Sequence, residues 1–213
     1  ERQIILWRHG RTSWNAERRF QGQSDIELDD EGRAQAERAA ELLAYLEPDR
    51  IIASDLARAW ATAQALSVRT GVQVRADARL RETFAGEWEG LSRAELLERH
   101  GDEVARWASD SAARPGGGET RIEVADRVVA AITDGLDGLA ESGTLVVATH
   151  GGAARAGIGA LLELPPEQWA CLGVLSNCAW SILSENSTGF GPAWRLQEYN
   201  AGSLPTPALA DDR

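Results

Sequence analysis

Leu145-Val146-Val147-Ala148-Thr149-His150-Gly151-Gly152 is the stretch on which the fold class turns. Its apolar start is unbroken and too short for a helix, which suits a β-strand covered on both faces. The strand runs directly into His150 and two glycines. A small-residue helix is predicted from Ala153 to Leu162, closed off before Pro165-Pro166. Near the other end of the chain, Ile4-Ile5-Leu6-Trp7 repeats the pattern and stops at Arg8-His9-Gly10. Two of the three histidines therefore stand at the carboxyl end of a buried strand, each followed by glycine. In open α/β sheets, ligands bind in the crevice beyond the carboxyl ends of parallel strands. If both strands are central and parallel, His9 and His150 lie on one rim. A single histidine so placed reads as a core residue satisfied by a carbonyl; a matched pair favours a site.

The segments between these strands complete the pattern. A polar stretch to about Asp30 reads as a long loop with room for one short helix. Asp30 is the expected cap of a helix over 31–46, whose apolar positions Ala36, Ala39, Ala40, Leu42, Leu43 and Leu46 recur at helical spacing. Ile51-Ile52-Ala53 is a second short strand, leading through Ser54-Asp55 into a helix that ends at Thr70 before Gly71. Val72 and Val74 alternate with polar neighbours as a further strand. Ser92 with Glu95, and Thr120 with Glu123, have capping-box spacing. The first opens a helix expected to reach about His100, the second one fading near Gly138. Arg114-Pro115-Gly116-Gly117-Gly118 is the strongest breaker, and segments 178–183 and 194–199 read as edge strands. Alternating strands and helices predict an α/β class, a three-layer α/β/α arrangement around a mostly parallel sheet. No repeat or linker divides residues 1–213, so one domain is expected, with a frayed tail over 203–213.

Composition removes several function classes. The chain has 213 residues, with 33 acidic against 22 basic side chains and a net charge of −11, and every basic residue is arginine. Without lysine there is no Schiff-base or pyridoxal-phosphate anchor and no P-loop. The acidic balance argues against nucleic acid and anionic membranes as partners. No apolar run reaches membrane-spanning length. Cys171 and Cys178 form no CxxC, and with no signal-peptide pattern in view a cytoplasmic location is expected.

Further residues are placed to do chemistry. Arg8 neighbours His9 at a strand end, where alternation relaxes and both side chains can address one pocket. Arg58 falls in the first turn of the helix after the second strand, a position suited to anion binding. The bland alternative pairs it with Asp55. Glu82 closes Arg79-Leu80-Arg81-Glu82 ahead of a loop with Phe84, Gly86, Trp88 and Gly90. A carboxylate among arginines is usually an ion-pair partner. Beside a desolvated pocket it can instead be a general acid.

Arg8-His9-Gly10 with Thr12, Asn15 and Phe20-Gln21-Gly22 resembles the opening motif of the histidine phosphatase superfamily, the phosphoglycerate mutase-like fold. Ser54-Asp55-Leu56-Ala57-Arg58-Ala59 with Thr62-Ala63, Leu80-Arg81-Glu82 with Gly86 and Gly90, and Thr149-His150-Gly151-Gly152 resemble its second to fourth motifs, in the family's order. The resemblance implies a metal-independent phosphomonoester hydrolase without a cofactor. His9 would be the nucleophile, forming a phosphohistidine while a backbone carbonyl holds its other ring nitrogen. Arg8, Arg58 and His150 would surround the phosphoryl group, with Asn15, Gln21, Gly22 and Gly151 as phosphate or substrate contacts. Glu82 would protonate the leaving oxygen and then deprotonate water. Arg11 departs from the family pattern, where glutamate or glutamine follows the glycine. It either addresses a second anionic group or faces solvent.

Mutases of the family carry extra basic residues, lysine included, between the acid and the last motif. Residues 82–120 are short and offer only Arg93, Arg99, Arg106 and Arg114, which favours hydrolysis. The segment 84–118 is expected to form a lid or wall over the pocket. Leu164-Pro165-Pro166-Glu167-Gln168-Trp169, Leu172-Gly173, Asn177, Trp180 and 194–200 are similar to actinobacterial members of the family. That likeness implies a small phosphorylated sugar acid as partner, with glucosyl-3-phosphoglycerate the specific expectation. A bisphosphoglycerate-dependent mutase, a broad-specificity phosphatase and a non-enzymatic phosphate-binding protein are the competing readings, and a homodimer stays open. Zinc on His9, His150 and Glu82 matches no local ligand spacing.

Overall fold

The computed structural model of the protein describes residues 1–202, so the expected tail lies outside the described residues. Six strands form one sheet: β1 (Gln3–Arg8), β2 (Arg50–Ala53), β3 (Val74–Ala76), β4 (Thr144–Thr149), β5 (Trp180–Glu185) and β6 (Trp194–Ala201). Their order is β3-β2-β4-β1-β5-β6. The pairs β3–β2, β2–β4 and β4–β1 are parallel, whereas β5 runs antiparallel to both β1 and β6. The sheet is thus mostly parallel. β5 is interior, not the edge strand expected, because β6 folds back onto its outer side.

Strand alternation separates two cores. Ile5, Trp7, Ile51, Ala53, Val146 and Ala148 face α2 (Asp30–Ala44) and α3 (Ala57–Thr70). Ile4, Leu6, Ile52, Leu145 and Val147 face α5 (Arg121–Leu136) and α6 (Gly151–Leu161). Successive strand side chains point to opposite faces, and both faces are apolar, so helices must cover each. The three-layer α/β/α architecture follows. Among the described residues no helix is long and apolar enough to cross a membrane.

Local signals place the helices closely. The Ser92–Glu95 and Thr120–Glu123 capping boxes both form, and Gly71 closes α3 in the left-handed conformation at φ 75°. Three details differ from expectation. Asp29, not Asp30, caps α2, its carboxylate accepting from the Gly32 N–H at 2.7 Å. Asp29 stands one residue before the helix because a capping carboxylate accepts from an N–H two or three residues ahead, here that of Gly32. The third strand includes Val74 but not Val72. The helix expected to stop near His100 continues as α4 (Arg93–Ser109), broken only by non-helical angles at His100 itself. Gly101 masks the continuation in the sequence, whereas Trp107 anchors it by packing with Phe20, Trp88 and Leu96 in a third, smaller core. A short helix α1 (Ser13–Ala16) lies in the expected loop after β1.

Candidate active site

Register brings the two histidines together. Arg8 of β1 pairs with Thr149 of β4, so His9 and His150 are the next residues on neighbouring parallel strands. Adjacent strands lie about 4.8 Å apart, and the two imidazole centroids are 5.1 Å apart. The backbone is tied across this step by the His9 N–H donating to the Thr149 carbonyl at 3.0 Å. β2 flanks β4 with Ala53 opposite Ala148, which delivers Ser54 to the same rim. Ser54 Oγ shares a 2.8 Å hydrogen bond with His150 Nε2.

His9 is buried, and its Nδ1 lies 2.7 Å from the Gly10 carbonyl. Only a protonated Nδ1 can donate there, so Nε2 carries the free lone pair. Burial and the positive charges of Arg58 and Arg8 hold the His9 pKa well below the ordinary range. Burial, then Arg58, His9, Arg127 and Arg8, do the same to His150. Both rings are therefore neutral at neutral pH.

Unfolded histidine binds a proton near pH 6.5 and these buried rings do not. Stability is lost as pH falls below 6.5 toward the folded values, by about 1.4 kcal/mol per pH unit for each ring. Urea unfolding at pH 7.5 and 5.5 should show this slope, reduced in a His9→Gln/His150→Gln variant.

The arginines that surround these rings are fixed by backbone carbonyls. Arg58 Nη1 and Nη2 donate to Ser24 and Gly22 carbonyls at 2.6 and 2.7 Å, and Arg8 Nη1 donates to the Leu175 carbonyl at 2.5 Å. Arg58 is not paired with Asp55, because Asp55 is taken by Arg81 at 2.7 Å. The Arg58 charge stays directed at the rim, where both histidines sense it. Gly22 enters the site through the carbonyl that holds Arg58.

Asn15 is fully buried, its Oδ1 accepting from the Thr12 N–H at 3.0 Å and lying 3.4 Å from the Asn177 amide. Gln21 Oε1 accepts from Thr12 Oγ1 at 2.8 Å. Asn15 Nδ2 and His150 Nδ1 are buried with no hydrogen-bond partner among the described residues. Burying unsatisfied polar groups is costly, which marks these two atoms as ligand-directed.

Glu82 has none of the arginine partners that its sequence neighbours suggest. Arg81 pairs with Asp55, and Arg79 pairs with Asp77 and Asp134. The Glu82 carboxylate instead accepts from the N–H groups of Thr83 at 2.8 Å, Ala153 at 2.9 Å and Gly152 at 3.0 Å. Two of these belong to the first turn of α6, which Gly151 opens directly after His150. The acid and the second histidine are thus coupled through one helix start.

Gly152 leaves no room for a side chain, since a Cβ there would sit 2.7 Å from Glu82 Oε1. Gly152→Ala should push the carboxylate out of place and lower kcat on alkyl phosphates by about tenfold to a hundredfold, given how steeply misplacement is felt. The unfolding midpoint should move little, and steady-state kinetics with denaturation of the same preparation checks both.

Several supporting residues escape a sequence reading. Arg127 on α5 donates to the carbonyls of Arg79, Arg81 and Glu82 at 2.8, 2.6 and 2.9 Å while pairing with Glu119 at 2.8 Å. It holds the backbone that carries Glu82. Thr62 Oγ1 accepts from the Gly10 N–H at 3.1 Å, and the Asn177 side chain donates to the His9 carbonyl at 3.3 Å. Ser54, Thr62 and Asn177 stand inside recognisable segments, but nothing in their spacing states what they touch.

Arg11 is partly exposed to solvent, one of its two expected readings. It is an ion-pair partner of Asp29 at 2.7 Å, bracing the cap of α2. Segment 84–118 forms a wall: Trp107 and Asp110 line the cleft beside Glu82. His9, His150 and Glu82 form no metal-ligand cluster.

Residues 4–201 match the model of the histidine phosphatase superfamily (branch 1). The chain is 39% identical over 214 residues to glucosyl-3-phosphoglycerate phosphatase of Mycobacterium tuberculosis, covering 95% of this chain and 96% of that protein. It is 34% identical over 213 residues to a probable phosphoglycerate mutase of Salmonella paratyphi C, covering 97% of each. Among solved structures, the mycobacterial glucosyl-3-phosphoglycerate phosphatase in complex with VO3 superposes with a TM-score of 0.88 at 40% identity, over 95% of this chain and all 100% of that one. A phosphoserine phosphatase from Entamoeba histolytica, in complex with phosphoserine, has a TM-score of 0.80 at 26% identity, over 94% and 98% of the two chains.

Proposed function

The chain belongs to the histidine phosphatase superfamily, branch 1, and is a phosphoric monoester hydrolase; we propose that it acts through a phosphohistidine on a small phosphorylated sugar acid, with glucosyl-3-phosphoglycerate the leading substrate. The observation that carries the mechanism is His9, buried and neutral, with Nδ1 tied to the Gly10 carbonyl so that Nε2 is the nucleophile.

In the first step, the His9 Nε2 lone pair forms a bond to phosphorus while the ester P–O bond breaks. Glu82 delivers its proton to the leaving alkoxide, releasing an alcohol. In the second, Glu82 takes a proton from water, whose oxygen attacks phosphorus. The N–P bond breaks, and inorganic phosphate leaves with His9 neutral again. Arg8, Arg58, His150 and Asn15 Nδ2 donate to the phosphoryl oxygens throughout. Phosphoryl transfer needs mainly positioning and charge stabilisation, which this donor set supplies.

The substrate class rests on the likeness to the mycobacterial phosphatases, which exceeds that to the mutase in identity. The test is a panel of glucosyl-3-phosphoglycerate, 3-phosphoglycerate, phosphoserine and an aryl phosphate, assayed in chelator for phosphate release and for 2-phosphoglycerate. Preferential phosphate release from glucosyl-3-phosphoglycerate supports the reading. Formation of 2-phosphoglycerate from 3-phosphoglycerate without net phosphate release replaces it with the mutase, and flat rates replace it with a broad-specificity phosphatase.

A further inference from the structure

A cleft adjoins Glu82 and Gly152 and extends away along Trp107, Arg121, Arg155 and Trp169. Its position has a chemical meaning. The general acid must contact the oxygen that leaves phosphorus, so the space next to Glu82 receives the alcohol half of the ester. Groups lining that space therefore read the leaving group.

Two of them are arginines without a carboxylate partner among the described residues. Arg121, the first residue of α5, has its guanidinium 4.7 Å from the Trp107 ring centroid and donates Nη1 to the Trp107 carbonyl at 2.5 Å. It is held in place by stacking and by backbone carbonyls, the second that of Asp110 at 3.5 Å, not by a carboxylate. Arg155, one turn into α6, has no hydrogen bond or ion pair among the described residues. The two are close enough to repel: burial first, then the Arg155 charge, pushes the Arg121 pKa down to about 10, with Asp110 opposing.

Such an arrangement stands out in a chain with 33 acidic side chains for 22 arginines. Many of its arginines, Arg79, Arg81, Arg114 and Arg127 among them, pair with a carboxylate. The carboxylates that share the cleft do not neutralise the pair. Glu82 is taken by backbone N–H groups, Asp110 lies 3.7 Å from Arg106, and Glu167 is exposed. Holding two guanidiniums together, half-buried and unpaired, costs stability unless an anion joins them.

We propose that Arg121 and Arg155 bind an anionic group on the leaving alcohol, the carboxylate of a phosphorylated acid, and so set the enzyme's preference for acid-bearing monoesters. This deepens the substrate reading above and depends on Glu82 marking the leaving-group side. Arg155 supplies charge from α6, the same helix whose first turn holds Glu82, so carboxylate and leaving oxygen are positioned by one rigid element. Both are specificity residues and take no part in bond making.

The experiment compares 3-phosphoglycerate with glycerol 3-phosphate, which replaces the carboxylate by a hydroxymethyl group. Arg155→Ala should raise KM for 3-phosphoglycerate by about tenfold to a hundredfold, the usual effect of losing a charge-assisted hydrogen bond, while kcat stays within about threefold. Its kcat/KM on glycerol 3-phosphate should stay within about threefold of wild type. Arg121→Lys, which keeps charge but loses the planar fork, should give a smaller rise in the same direction, and guards against loss of α5 packing in a larger truncation. Equal losses on both esters, or no loss on either, overturn the proposal. A wild-type enzyme that releases phosphate from both without preferring the acid overturns it alone. Failure to release phosphate from any acid-bearing ester overturns the substrate reading with it. A bisphosphate that outcompetes the carboxylate at the same two arginines would reassign the anion to phosphate.

Discussion

His9→Ala should eliminate turnover, lowering kcat by on the order of 10⁴-fold or more on every substrate, as expected when a covalent nucleophile is removed. The variant should stay folded, since His9 contributes one ring hydrogen bond, and that to its neighbour's carbonyl. Removing a buried ring also relieves Arg8 and Arg58 of a desolvated neighbour, so phosphate affinity should survive. Wild type incubated with labelled substrate and quenched in alkaline detergent should carry phosphate on His9 that is stable in base and lost in acid, and the variant none. Activity persisting in His9→Ala, or label on another residue, would sink the phosphohistidine mechanism. The acidic limb of kcat/KM should report the same group. Because burial, and then the charges of Arg58 and Arg8, oppose protonation, that limb should fall well below pH 6.5. Arg58→Gln should shift it upward, with a loss in rate from the missing phosphate donor.

Glu82→Gln should separate substrates by their leaving groups. An alkoxide needs a proton as it departs, so alkyl phosphates should lose about 10²–10⁴-fold in kcat, the usual scale of general acid catalysis. A nitrophenolate leaves without help, so the first step with an aryl phosphate should be nearly intact. The second step still needs a base for water. Glu82→Gln should therefore release about one equivalent of nitrophenol in a burst and then turn over slowly, with phosphoenzyme accumulating. Stopped-flow absorbance checks this directly. Equal losses on alkyl and aryl esters with no burst would remove Glu82 from both steps. The Gly152 and Ala153 N–H groups bind different oxygens of Glu82, so glutamine keeps an acceptor for only one of them, and urea unfolding of the variant checks that its fold survives.

Much of the architecture was legible from local signals. Short apolar runs ending in histidine and glycine mark β1 and β4. The two capping boxes and Gly71 mark three helix ends, because such caps depend on a few adjacent residues. The expected half-stop at His100 failed for the opposite reason. What carries α4 onward is Trp107 packing on Phe20 and Trp88, partners far away in sequence. β5 was misplaced at an edge for the same reason, since an interior position is a property of the strand order and not of the strand.

The sequence by itself determined the α/β class, the pairing of a histidine with each of two strand ends, and the family motifs that name His9, Arg58, Glu82 and His150 as one set. These rest on spacing within a few residues, which the chain imposes before it folds. Only the tertiary structure decided which charge each arginine meets. Arg58 and Asp55 are three apart on the chain, yet Asp55 goes to Arg81 and Arg58 turns to the carbonyls of Gly22 and Ser24. Glu82 stands among arginines in sequence and among amide groups in space. Arg121 and Arg155 look like any other arginines until α5 and α6 place them in one cleft. The reason is competition: an ion pair is selected among all partners that folding brings within reach, and strand order and helix packing alone decide who those are.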